Sequence, residues 1–358
     1  MKFLKNRWLS RCAILVVIGV VCAFSPLSGQ IVSVRNGEGV PLDARLVTER
    51  AVRFLLNTQR DDGTWPGRVS SGSGVVGIGV MALLATGEDP DFGPYADALR
   101  RSLRHIILNQ SPTTGVTSGP GHGPMYHHGL ACLALSEAYG VVNDRLLWEG
   151  TNVPVEERRT IGQALELSVR CTLTAQQNNP HKAWRYSPES QDADTTVSGT
   201  VLMGLLGARN AGIEVPNEAI ENALAYFRAN TMQDGSVSYQ FTSGHGNGVT
   251  RAAIATLVYA IAKRKDTPEY RSVAEFIKSR SDQTVRDHPY YNRYYMAQAL
   301  FQSDLETWQA WNRRTIQELK SQQAEDGSFS STHGKAYATG MSVLALALNY
   351  RLLPVYER

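Results

Sequence analysis

One short phrase, Gln-x-x-x-Gly-x-aromatic with acidic residues just ahead of the glycine, stands near the start of this chain and again near its end. It reads Gln59-Arg60-Asp61-Asp62-Gly63-Thr64-Trp65 in the first place and Gln323-Ala324-Glu325-Asp326-Gly327-Ser328-Phe329 in the second. A worn copy, Gln233-Asp234-Gly235-Ser236-Val237-Ser238-Tyr239, lies between them. A turn phrase that recurs with helical runs on both sides marks a repeat architecture, and this constrains the fold more than any local propensity does. Asp-Gly supplies a turn with a left-handed position, while Gln and the aromatic tie the loop to neighbouring helices. The phrase itself therefore reads as scaffold.

From about Leu46 the chain alternates amphipathic runs with runs that are apolar nearly all round. A helix with one wet face lies outside, and one apolar on every face is buried. Val47, Ala51, Phe54 and Leu55 mark the first outer helix, and Val75 to Leu84 the first inner one. The same pairing recurs through Leu99–Ile107 with Leu130–Leu135, Leu165 and Val169 with Val197–Ala208, and Ile220–Phe227 with Ala252–Ile261. Val273–Ile277 with Tyr294–Phe301, and Trp308–Leu319 with Met341–Leu348, complete six hairpins. No strand-rich segment appears, and the longest connector, around 141–157, reads as a loop. These features predict an all-α (α/α)6 toroid over residues 46–358, preceded by a short lead-in at 30–45.

Of 358 residues, 42% are hydrophobic and 19% charged, an ordinary globular balance. The net charge of +3 comes from the N-terminus: setting aside Lys2, Lys5, Arg7 and Arg11 leaves 32 cations against 33 carboxylates. Nothing there supports a nucleic-acid footprint. Those four cations precede the apolar run Cys12–Phe24, which fits a signal h-region and falls short of the roughly 20 residues that span a bilayer. Residues 1–29 are thus expected to be a signal peptide, or an uncleaved membrane anchor, and the protein to be exported. Cys132 and Cys171 sit in apolar helical contexts and read as small core residues, with a disulfide between them left open.

With Phe54 and Leu55 ahead of it, Gln59-x-x-x-Gly63-x-Trp65 resembles the repeat shared by squalene–hopene cyclases and protein prenyltransferase β-subunits. The copy at Gln323, Gly327 and Phe329 is similar, and the resemblance spans roughly Leu46 to the C-terminus. It implies a toroid whose inner helices line a central, often apolar, cavity. Asp192-Ala193-Asp194-Thr195-Thr196 resembles the Asp-x-Asp-Asp-Thr motif of class II terpene cyclases, in which the middle Asp protonates an alkene or epoxide. Asp194 takes that place, whereas the third Asp is Thr195. The alternative for Asp194 is an N-cap of the helix beginning at Thr195. The zinc ligands that prenyltransferases use have no matching context at Cys132 or Cys171, and no cofactor or metal is expected.

Inner helices of a toroid all start at one end, so the loops before them crowd one mouth. That mouth collects Tyr126, His127, Trp184, Tyr186, His245, Arg251, Tyr291, Tyr295, His333 and Tyr337, the expected ligand-binding set. Sequence-distant side chains converging on one cleft are what a ligand site requires. The expected function is an exported toroid that binds an apolar, isoprenoid-like or extended ligand, or a protein partner, without catalysis. The alternative is a terpene-cyclase-like isomerase with Asp194 as general acid and a partner domain.

Overall fold

A computed structural model describes residues 39–120, 123–240 and 248–353. The expectations for residues 1–29 and for His245 lie outside the described residues. Every regular element within them is helical. β pairing among the described residues is limited to two isolated bridges, Gln110 with Thr117 and Thr231 with Val237, each across the neck of a repeat loop.

Six outer helices alternate with six inner ones. The outer set is α1 (Leu42–Thr58), α3 (Ala96–Leu108), α6 (Ile161–Asn178), α8 (Asn217–Asn230), α10 (Pro268–Lys278) and α12 (Leu305–Gln322). The inner set is α2 (Ser73–Leu84), α4 (Pro124–Ala138), α7 (Thr195–Asn210), α9 (Val249–Ile261), α11 (Pro289–Ser303) and α13 (Lys335–Leu346). All twelve residues of α2 are buried, as its unbroken apolar sequence dictates. Each inner helix packs on the next, α2 on α4 and so on to α11 on α13, and α13 packs back on α2. The ring is closed.

The repeat phrase shows how one unit is fastened to the next. Gln59 Nε2 donates to its own loop at Gly63 O (3.3 Å) and to the next outer helix at Ala98 O (3.0 Å) and Ser102 Oγ (2.7 Å). Trp65 is buried and its indole N–H returns to Leu55 O at 2.8 Å. Gly63 has φ +82°, and a Cβ there would overlap the carbonyl of Arg101 on α3, so the position demands glycine twice over. Gln323 repeats the pattern on the first outer helix, donating to Val47 O and to Gly327 O, both at 2.9 Å. The last loop thus docks on α1, which seals the toroid.

Two further copies escape the eye in the sequence. Gln110 donates to Gly115 O, Ala164 O and Ser168 Oγ, and Gln176 to Lys182 O and Ala219 O. Their loops carry one and two extra residues, and in the second the left-handed position is Lys182 at φ 52°. The worn copy is out of register at its first position. Met232 and Ser236 pair as Arg60 and Thr64 do, so Thr231, not Gln233, stands where Gln59 stands.

Two boundaries differ from the sequence reading. Helix α1 starts at Leu42, inside the expected lead-in, with Ala44 fully buried; Leu42 and Leu46 face outward at 60% and 44% exposure, which blurs the periodicity there. The connector around 141–157 holds a short helix, α5 (Asp144–Leu147), capped by Asn143 and anchored by the buried Leu147. Cys132 and Cys171 are both buried free thiols in α4 and α6, so no disulfide joins them.

Candidate functional site

The inner helices begin at one end of the ring, and a cavity of about 400 Å³ opens there among their first turns. All six units contribute to its wall. Val75, Ile78, Leu130 and Met341 supply apolar surface, and Tyr126, His127, Tyr186, Tyr239, Thr250, Arg251, Asp287, His288, Tyr291, His333 and Tyr337 bring polar groups and rings. A volume in this range is what a small organic ligand needs.

Of the ten side chains expected to meet a ligand, Tyr126, His127, Tyr186, Arg251, Tyr291, His333 and Tyr337 stand on this wall. Trp184 does not. It is 2% exposed and gives its indole N–H to Thr172 O at 2.9 Å, filling the scaffold role that Trp65 has in the first unit. Tyr295 lies one layer deeper, packed edge-on against Tyr291 with ring centroids 4.7 Å apart. His128 points the other way, between α4 and α6, with Nε2 at 2.9 Å from Thr172 Oγ1, and burial pulls its pKa down to about 4. Among the described residues, no three His, Cys, Asp or Glu side chains gather closely enough to hold a metal ion.

His127 is set by backbone. The N–H of Gly74 donates to its Nδ1 at 3.2 Å, so the ring proton resides on Nε2. A Cβ on Gly72 or Gly119 would collide with the imidazole edge, and these glycines let the ring lie flat against the chain. Tyr186 and Tyr239 hold matching positions two residues past the aromatic site of consecutive loops, and their hydroxyls meet at 2.6 Å. Arg185 stacks over both rings at 4.9 and 5.8 Å and also pairs with Asp192.

Asp194 is the N-cap of α7. Its Oδ1 accepts from the backbone N–H groups of Thr196 and Val197, each at 2.9 Å, and from Thr196 Oγ1 at 2.6 Å. Oδ2 faces Arg185 Nε at 3.6 Å. The side chain is fully buried and is not on the cavity wall. Burial raises its pKa above the usual carboxylate value against the pull of those hydrogen bonds. Thr195, where the cyclase motif has its third Asp, is occupied structurally: its hydroxyl donates to Ser238 O at 2.9 Å and its N–H to Tyr239 O at 3.0 Å. Asp194 is linked to the cavity wall through Thr196, whose Oγ1 accepts from Tyr126 Oη at 2.7 Å, and through Arg185, which lies over Tyr186 and Tyr239.

Sequence reasoning missed Tyr239, Asp287 and His288 as wall residues. All three sit in loops that precede inner helices, the rule that found the others. In the fifth unit His288 stacks on His333, with Nδ1 and Nε2 3.2 Å apart.

No protein-family model and no curated protein matches this chain. Solved structures do. A variant of the type II terpene cyclase MstE from Scytonema, in complex with geranylgeranyl dihydroxybenzoate, has a TM-score of 0.56 at 16% identity, covering 87% of this chain and 98% of that one. The fold is that of the α/α toroids. Rex8A from Paenibacillus barcinonensis, complexed with an arabinofuranosyl-xylotetraose, follows with a TM-score of 0.53 at 13% identity over 87% of this chain and 93% of its own. An endo-β-1,2-glucanase from Chitinophaga pinensis gives 0.50 at 11% identity over 88% and 93%. At these identities the likeness is one of architecture, and it joins cyclases and glycoside hydrolases alike.

Proposed function

We propose that the toroid binds an amphipathic organic ligand, with an apolar body and one polar end, in its central cavity, and performs no chemistry on it. The observation that carries this is the make-up of the wall. Aliphatic side chains from α2, α4 and α13 face the interior, and tyrosines, histidines and Arg251 stand around them. Hydrolysis of a glycoside needs two carboxyl groups flanking the bond. Among the described wall residues one carboxylate, Asp287, is present, which counts against glycoside hydrolysis, and the aliphatic surface supports an apolar body for the ligand. Protonating an alkene needs an acid aimed at it. Asp194 aims its carboxylate at its own helix, and binding is the better reading. Export by way of the basic and apolar N-terminal segment belongs to the same proposal.

The isomerase reading has one observation in its favour, the burial that raises the pKa of Asp194. It requires turnover of a polyprene that Asp194→Asn abolishes. The binding reading is tested by thermal unfolding of the full chain with long-chain alcohols and polyprenols in one series and xylo-oligosaccharides in another. A ligand at a hundred times its Kd adds roughly 2.7 kcal/mol to stability. Stabilisation by the alkyl series alone is expected; stabilisation by the sugars alone would overturn the proposal.

A further inference from the structure

We propose that the cavity is a blind cup whose floor, laid by Ile78, Leu130, Met341 and Tyr295, sets how long an apolar body the ring can take in. This rests on the binding reading above and adds an upper limit on ligand length. The wall draws on two levels of the inner helices. Tyr126, Tyr291 and Tyr337 are each the third residue of their helix, and all three are partly exposed. Leu130 and Met341 are each the seventh, four residues or about 6 Å deeper along the axis, and Ile78 is the sixth of α2. Exposure ends at this level: Leu130 keeps 8%, and Ile78 and Met341 keep none. Among the described residues, none further along any inner helix reaches the wall.

Two kinds of contact close the bottom. Tyr295, the seventh residue of α11, reaches α7, two places round the ring, where its hydroxyl lies 3.0 Å from Thr200 Oγ1. Tyr291, one turn above, makes the same crossing to the same oxygen, also at 3.0 Å. The pair forms a bar from α11 to α7. On the far side the helices themselves come close. A Cβ on Gly340 would stand 2.5 Å from Ile78 Cγ2, so the bare backbone of α13 seats this isoleucine beside Met341. A Cβ on Gly77 would stand 2.9 Å from Leu130 O, which brings α2 equally near to α4. Side chains held in this way pack like a solid and do not yield to a chain pressed against them.

A closed floor discriminates by length. Each methylene that leaves water for the cup tightens binding about fourfold. Once the end of the chain meets Leu130 and Met341, further methylenes stay outside the mouth in water and add nothing. Affinity in a homologous series should therefore climb steadily and then break to a plateau. An open channel through the ring would show no such break, because the chain could run on between the inner helices.

Calorimetric titration of the full chain with straight-chain primary alcohols, from butanol to dodecanol, locates the break. Leu130→Ala and Met341→Ala each take three heavy atoms out of the floor and should move the break to chains about two or three carbons longer. Leu130→Val, a milder change, should move it by about one. Val75→Ala removes surface from the side of the cup at the level of Tyr126; it should weaken all lengths alike and leave the break in place. Helical circular dichroism and a cooperative melt show which variants fold. A steady gain through dodecanol in the unsubstituted protein overturns this inference and leaves the binding reading standing. So does a break that no folded floor variant moves, or one that Val75→Ala moves as far as they do. Binding of none of the alcohols overturns both.

Discussion

Tyr186 and Tyr239 touch hydroxyl to hydroxyl, 2.6 Å apart, at the mouth of the ring, though they come from the loops of two consecutive units. Each sits two residues beyond the site that holds the loop aromatic, and each lends its carbonyl to the start of the preceding inner helix: Tyr186 O to Met125 N–H, Tyr239 O to Thr195 N–H. The pair is therefore a strut between neighbours as well as part of the wall. Tyr186→Phe and Tyr239→Phe should each cost about 1 kcal/mol, and the double variant barely more than either alone. Urea unfolding of the four proteins in this cycle measures the coupling. Strict additivity would show that the contact carries no energy.

Glycine is required at the repeat loops by contact as well as by backbone angle. At Gly327 φ is +86° and a Cβ would overlap the carbonyl of Arg50 on α1; Gly63 stands in the same relation to Arg101. Gly150 has φ +67° with nothing within 4 Å of a Cβ, so it isolates the backbone cost. Gly150→Ala should cost about 1 kcal/mol and Gly327→Ala clearly more, roughly 3 kcal/mol, because the docking surface of a whole unit must shift. Chemical denaturation of the two variants side by side decides the matter: equal losses would mean that the α1 contact contributes nothing.

Asp194 satisfies three donors, so Asp194→Ala should destabilise by about 1–2 kcal/mol, while Asn keeps the capping oxygen and costs less. The pH dependence has a definite sign. Burial raises its pKa in the fold above the ordinary 3.8. The associated stabilisation is full below 3.8 and is lost as pH rises through the folded value. The stability difference between the native protein and Asp194→Asn should therefore shift against the native protein on going from pH 3 upward, and then level off. A difference that is flat across that range, or that shifts the other way, would contradict the burial argument.

The hairpin alternation was legible because burial on all faces leaves an unmistakable sequence, as in α2 and α9. The cavity wall was legible from one topological rule, that inner helices start at the same end. What could not be read was direction. Trp184 and Tyr186 are two residues apart in one loop, yet one is core and the other stands at the mouth, a difference set by the left-handed turn at Lys182 and the packing of α6. Gln110 and Gln176 were hidden by insertions of one and two residues, since the eye keeps spacing where the fold keeps only the Gln and the turn. The role of Asp194 likewise depends on where one carboxylate oxygen points. Local composition is the same for a cap and for an acid.

Cys132 and Cys171, of the chain's four cysteines, should be silent in the folded protein. Burial pushes the thiol of Cys132 up to about 12 and that of Cys171 to about 11, so neither supplies thiolate near neutrality. A thiol reagent at pH 8 should label neither until denaturant is added, and then both at rates that track global unfolding. Rapid labelling of Cys171 under native conditions would show that α6 opens on its own.

The seal between the last loop and α1 has a bearing on how such a protein comes apart. In an open stack the terminal repeats have a single neighbour and unravel first. Here α1 lies against both α12 and α13, and every hairpin has a neighbour on either side. No hairpin can leave without surrendering two interfaces at once, and what it leaves is a breached ring rather than a shorter stack. The described helices come from a chain with two ends, yet the ring they form has none.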